Sequence, residues 1–94
     1  MQPEYTKLKV HNDIELCETA DMDIKQKIEH VLLTNRISYY LQWYKQGVFR
    51  RNEVCVFCIN ENSKEEAEQL VRSLSKDIEE KVRFLMRRSG ERFF

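Results

Sequence analysis

The hydrophobic pattern of this chain switches between two periods. Residues 14–19, Ile-Glu-Leu-Cys-Glu-Thr, alternate: Ile14 and Leu16 fall on one side and Glu15 and Cys17 on the other, which predicts a strand. A helical period follows. Ile24, Ile28, Val31 and Leu32 share one stripe, while Lys25, Lys27, Glu29 and His30 fall largely on the wet side. Asp21 suits the N-cap and Asp23 the positive end of the dipole. Asn35 predicts a left-handed stop.

Period two returns at 37–44. Ile37, Tyr39, Leu41 and Trp43 share a face, predicted to be the core face, and Ser38, Tyr40, Gln42 and Tyr44 share the other. Residues 45–52 turn the chain, with Gly47 as the permissive residue. The next strand, 53–59, is apolar on both faces: Val54, Val56 and Cys58 on one, Cys55, Phe57 and Ile59 on the other. Two apolar faces predict a central strand covered on both sides. Ser63 followed by Glu66 reads as a capping box opening a second helix, whose buried stripe is Ala67, Leu70, Val71 and Leu74.

The segment 76–88 carries both periods. Ile78, Val82 and Leu85 continue a helical stripe, and "EEKVRFLMRR" is rich in helix formers, which favours a helix ending near Ser89-Gly90. The same residues alternate as a strand would, with Val82, Phe84 and Met86 on one side and Arg83, Leu85 and Arg87 on the other. The order is β-α-β-β-α with a C-terminal helix extension or fourth strand. This is an α+β class: a small antiparallel sheet with helices on one face. A paired tail makes the topology ferredoxin-like, βαββαβ, with the first and third strands central. One domain, 1–94, is expected, with a core from 14 to 88. Residues 1–12, a short edge strand or a loose arm, and 90–94 lie outside that core.

Composition narrows the picture. Sixteen basic and sixteen acidic residues cancel, which disfavours bulk electrostatic binding of nucleic acid but leaves a local patch open. No stretch approaches eighteen apolar residues and the N-terminus lacks the apolar run of a signal peptide, so neither a membrane span nor a secretory leader is expected. Three cysteines make a poor disulfide framework, and a reducing, cytoplasmic setting is the expectation.

Cys55-Val56-Phe57-Cys58 is a Cys-x-x-Cys. Within a strand, side chains three apart face opposite ways and lie about 10 Å apart along the chain, beyond disulfide reach. The two thiols are expected to be structural. A zinc site needs further ligands, and Cys17, His11 and His30 are not at knuckle spacing. The acidic residues near 21–23 and 65–68 sit in first turns of helices, where they complement the dipole. No catalytic constellation, metal site or cofactor is expected.

The stretch with most to explain is "YYLQWYKQGVFRR", 39–51. Aromatic rings beside cations stack bases or ring ligands, or form protein hot spots. Tyr40, Tyr44, Lys45, Phe49, Arg50 and Arg51 are the candidate binding residues. A second basic-aromatic run, 83–94, holds Arg83, Arg87, Arg88 and Arg92.

The stretches "ELCETADMDIKQKIEHVLLTNRISYYL" and "EVCVFCINENSKEEAEQLVRSL" together resemble a family of prokaryotic signal-transducing proteins. These are domains of unknown function with a PII-like, ferredoxin-type fold, and the resemblance covers roughly residues 14–74. Family members often carry Gly before the isoleucine of the second strand; this chain has Arg36. The resemblance implies a bacterial regulatory or sensing module, with a dimer as an option and with no defined reaction. It also implies that the loop 45–52, with Lys45, Arg50 and Arg51, meets partners.

These readings lead to a non-catalytic cytoplasmic regulatory, signalling or protein-interaction domain acting through the hairpin 39–51. Its partner is a protein or small-molecule ligand, and a homodimer is an option. The alternative is a ferredoxin-like domain binding RNA or single-stranded nucleic acid, which predicts quenching of Trp43 by oligonucleotide. An enzyme using Cys17, Cys55 or Cys58 as nucleophile comes third.

Overall fold

The computed structural model describes residues 13–46 and 52–88. They form β1 (Asp13–Thr19), α1 (Met22–Thr34), β2 (Tyr39–Gln46), β3 (Asn52–Asn60), a 3-10 turn (Glu61–Ser63), α2 (Lys64–Arg72), α3 (Ile78–Lys81) and β4 (Arg83–Arg88). The strands make one antiparallel sheet in the order β2-β3-β1-β4. This is an α+β fold, consistent with the ferredoxin-like arrangement, and β1 and β3 are its central strands. The expected arm at 1–12 and the last four residues lie outside the described residues.

The sheet is apolar on both sides, as β3 requires. On one side Ile24, Ile28 and Leu32 of α1 and Ala67 and Val71 of α2 pack on Leu16, Cys55, Phe57 and Ile59. On the other, Tyr40, Val54, Val56 and Cys58 cluster, with Tyr44 and Leu85 against them. Phe57 is fully buried at the centre of the first cluster, where truncation to Ala costs about 3–5 kcal/mol in lost burial and cavity.

Residues 76–88 do not form the favoured continuous helix. The helix ends after one turn: Val82 is extended, with φ −131 and ψ 135, while its N–H still bonds the Ile78 carbonyl. β4 then pairs with β1. Both readings bury Ile78 and Val82. The strand also fills the outer hydrogen-bonding edge of a central strand, which a helix cannot do. It sends Phe84 and Met86 to the helix-side cluster and Leu85 to the other.

β1 alternates only as far as Glu15. Its register against β3 shifts between Glu15 and Cys17, so one extra residue is accommodated as a bulge. Leu16 and Cys17 therefore both join the helix-side core, and Cys17 is not on the face opposite Leu16. Glu15 stays with Cys58 on the second face, since paired residues share a side.

The helix ends refine two further expectations. Asp21 caps α1 as expected, its Oδ1 accepting from the N–H groups of Asp23 (2.9 Å) and Ile24 (3.2 Å). At the other end the left-handed residue is Arg36 (φ 60), one position beyond Asn35 (φ −96). The Arg36 N–H bonds the Leu33 carbonyl at 3.0 Å and the Ile37 N–H bonds Leu32 at 2.8 Å. Buried Leu32 and Ile37 accompany this closure, a Schellman ending with Arg where Gly is usual. The capping box of α2 does not form: the Ser63 side chain makes no cap bond. Asn60 acts three residues earlier, its Oδ1 accepting from the Asn62 N–H at 2.8 Å.

Candidate functional site

The expected binding residues separate. Tyr40 is buried within the second cluster. Tyr44 is half-buried and its hydroxyl donates to Gln42 Oε1 at 2.6 Å. Lys45 lies in β2 opposite Glu53. Phe49, Arg50 and Arg51 lie outside the described residues.

Trp43, expected in the core, is 46% exposed. Alternation places its ring on the helix side correctly, but β2 is an edge strand of the sheet, and the core beneath α1 does not cover the ring. Lys25 of α1 holds its ammonium 5.8 Å from the indole centroid instead, a cation–π contact at the margin of the core. Two residues back along β2, Leu41 is half-buried against the core. Tyr39 packs on Phe57 with centroids 5.7 Å apart. Burial, then the charge and hydrogen bond of Glu29, push the Tyr39 hydroxyl up to about 12. Glu29 also pairs with Lys25 at 3.2 Å. The side of α1 that carries Lys25 and Glu29 thus runs along Tyr39 and Trp43.

That side carries more. Met22 (42% exposed) and Leu33 (50%) are, with Trp43, the exposed large hydrophobics among the described residues. Met22, Lys25, Glu29 and Leu33 stand at i, i+3, i+7 and i+11, one stripe of the helix. The three exposed apolar side chains and one ion pair therefore share a flank made by α1 and β2. Sequence reading missed it because the stripe lies beside the stronger Ile24-Ile28-Leu32 stripe. The signal was present in the spacing of Met22 and Leu33.

The opposite margin differs. β4 carries Arg83 and Arg87 against Glu18 (3.7 Å) and Glu15 (3.1 Å), and Met86 has a positive φ of 53. Charge and irregularity of this kind discourage association along a strand. Nearby, Arg72 joins three elements: it pairs with Glu68 at 2.9 Å and with Glu79, and its guanidinium lies 4.0 Å from the Phe84 ring centroid.

The thiols have little reactivity to offer. Cys17, Cys55 and Cys58 are buried thiols, and Cys55 and Cys58 belong to opposite faces of β3. Burial pushes the Cys17 thiol far up, reinforced by neighbouring thiols and Glu18. Burial pushes Cys55 up to about 12 against the pull of Lys25. Among the described residues no three His, Cys, Asp or Glu side chains converge as metal ligands would. His30 is exposed beside a groove of about 450 Å³ lined also by Asp23, Gln26 and Lys27; His11 lies outside the described residues. No described helix is long and apolar enough to cross a membrane.

Comparison of the chain with protein-family models, with curated proteins and with solved structures finds no match in any of the three.

Proposed function

We propose that this chain is a non-catalytic interaction domain of regulatory type, working through the α1–β2 flank and the 39–51 hairpin that continues from it. The observation that carries this reading is the gathering of Met22, Leu33 and Trp43 on one flank. A half-exposed Trp is of the residue type in which binding hot spots are most enriched. The signalling role implied by the family resemblance, and the homodimer it allows, are proposals of the same kind, as is a cytoplasmic setting.

The nucleic-acid alternative is less favoured. A ferredoxin-like sheet that binds single strands offers exposed aromatic rings on the face away from its helices. Here Tyr40 is only 6% exposed on that face, and Val56 and Cys58 are fully buried. An enzyme with a cysteine nucleophile is disfavoured by the raised thiols.

The test compares partners retained by wild type, by Trp43→Lys with Leu33→Lys, and by Arg50→Ala with Arg51→Ala. Partners lost from either variant support the reading. Retention of every partner by both variants refutes it. Salt-dependent quenching of Trp43 by an oligonucleotide shifts the assignment to the alternative.

A further inference from the structure

The pattern on the α1 flank is complementary to its own reverse. Met22, Lys25, Glu29 and Leu33 run apolar, cation, anion, apolar. The midpoint of Lys25 and Glu29 falls at residue 27 and that of Met22 and Leu33 half a residue beyond it, between 27 and 28. A second copy related by a two-fold axis at that point brings Met22 of one chain to Leu33 of the other. It also brings Lys25 of each chain to Glu29 of its mate. A two-fold contact needs this kind of self-complementary patch, in which residue i meets j and j meets i.

We propose that the α1–β2 flank is a homodimer interface, with the two α1 helices packed antiparallel about an axis near residue 27. The inference rests on the reading of this flank as an interaction surface and names its occupant. A second copy is favoured over an unrelated partner by charge. Lys25 and Glu29 already pair within one helix at 3.2 Å, with side chains only 18% and 25% exposed. In the antiparallel dimer each gains an opposite charge from the other chain, so covering them strands no ion. An apolar partner covers the same pair and supplies no second counter-charge, a desolvation cost of a kind that interfaces avoid. Trp43, beside Lys25, closes the rim on each side. Met22 and Leu33, otherwise wet, meet in two apolar contacts, one at each end of the central ion pairs. The arginine-bearing β4 margin stays outside the contact.

Register makes the proposal testable. Residues 22 and 33 lie about 16 Å apart along a helix axis. Met22→Cys alone therefore places its two thiols too far apart for a short bismaleimide, and so does Leu33→Cys alone. A mixture of the two variants brings them together. The native thiols are buried and serve as background. Full-length protein is examined under reducing conditions by native mass spectrometry over a range of concentrations, then by cross-linking. The expected result is a dimer, cross-linked in the mixture and not in either variant alone. Trp43→Lys with Leu33→Lys, both at exposed positions, should weaken the dimer about tenfold or more with unchanged circular dichroism.

A dimer indifferent to those two changes, or cross-linked equally in each single variant, overturns the antiparallel α1 contact. A monomer at every concentration whose flank changes still abolish capture of another partner overturns the homodimer and leaves the interaction reading standing. A monomer in which neither the flank changes nor Arg50→Ala with Arg51→Ala alters the capture of any partner overturns both.

Discussion

Arg36 occupies a backbone position that favours another residue. At φ 60 an L-residue brings its Cβ against the following carbonyl, at roughly 1–2 kcal/mol. The conformation is held by the Ile37-to-Leu32 and Arg36-to-Leu33 hydrogen bonds and by burial of both Leu32 and Ile37. The Arg36 side chain is exposed, so Arg36→Gly relieves the steric cost while sacrificing no buried contact. Against this, Gly makes the unfolded chain more flexible, at about 0.4–1 kcal/mol. The balance is a stabilisation of about 0.5–1 kcal/mol. For a domain of this size that is a rise in Tm of about 3–6 °C. Arg36→Ala keeps the Cβ and should change little, and Arg36→Val, branched at Cβ, should lower Tm. Thermal unfolding followed by circular dichroism ranks the three. A Gly variant no more stable than the Ala variant refutes the assignment of strain to this residue.

Removing the Arg87 guanidinium leaves the fully buried Glu15 carboxylate without its 3.1 Å partner. Arg87→Met should cost about 3 kcal/mol in urea unfolding and Arg87→Lys less; equal, small losses refute the pairing. Arg72→Ala removes the stack on Phe84 and two exposed ion pairs, for about 1 kcal/mol, and Arg72→Lys should recover only part of it. With Cys55 raised from 9.0 to about 12, its thiolate fraction at neutral pH falls about a thousandfold. Alkylation of the folded chain should therefore be slow and become fast in urea; a thiol labelled rapidly while folded contradicts this. Because the folded thiol holds its proton more tightly than the unfolded one, its stabilisation is complete below pH 9 and is lost as pH rises towards 12. Tyr39, raised from 10.0 to about 12, acts in the same sense. Base unfolding should begin above pH 9; a stability curve flat from pH 9 to 12 contradicts the shifts.

Much of the architecture was legible in the alternation. β3 was readable because a strand with two apolar faces has one natural place, the sheet interior, and α1 because a single stripe and an acidic cap agree. The C-terminal segment was ambiguous for a physical reason. Ile78, Val82, Phe84, Leu85 and Met86 satisfy both periods, and the vacant edge of β1 that decides between them belongs to tertiary structure. The bulge at Leu16 has no residue type to mark it, so strict alternation misplaced Cys17. Trp43 shows a further limit: period two tells which way a side chain points, and says nothing of how far the overlying helix reaches. The candidate site suffered most from this, since Tyr40 proved to be core while the other exposed apolar residues, Met22 and Leu33, came from α1, an element earlier in the chain.

The bulge in β1 has a bearing on how this chain could change length. Without Leu16, the order Ile14, Glu15, Cys17, Glu18, Thr19 alternates without interruption, and each residue keeps the β3 partner it has now. A one-residue deletion elsewhere in a central strand reverses the faces of all that follows. Position 16 is thus a place where a codon can be lost from β1 without inverting its faces against β3, at the expense of one fully buried leucine, about 2–5 kcal/mol if its space is left unfilled, and of a wider mismatch with β4, where Leu85 and Met86 already stand between the partners of Cys17 and Glu15. Lineages with larger side chains in α1 or α2 have a direct way to fill it. Length variation at this point, coupled to helix side-chain volume, is the historical trace that the irregularity would leave.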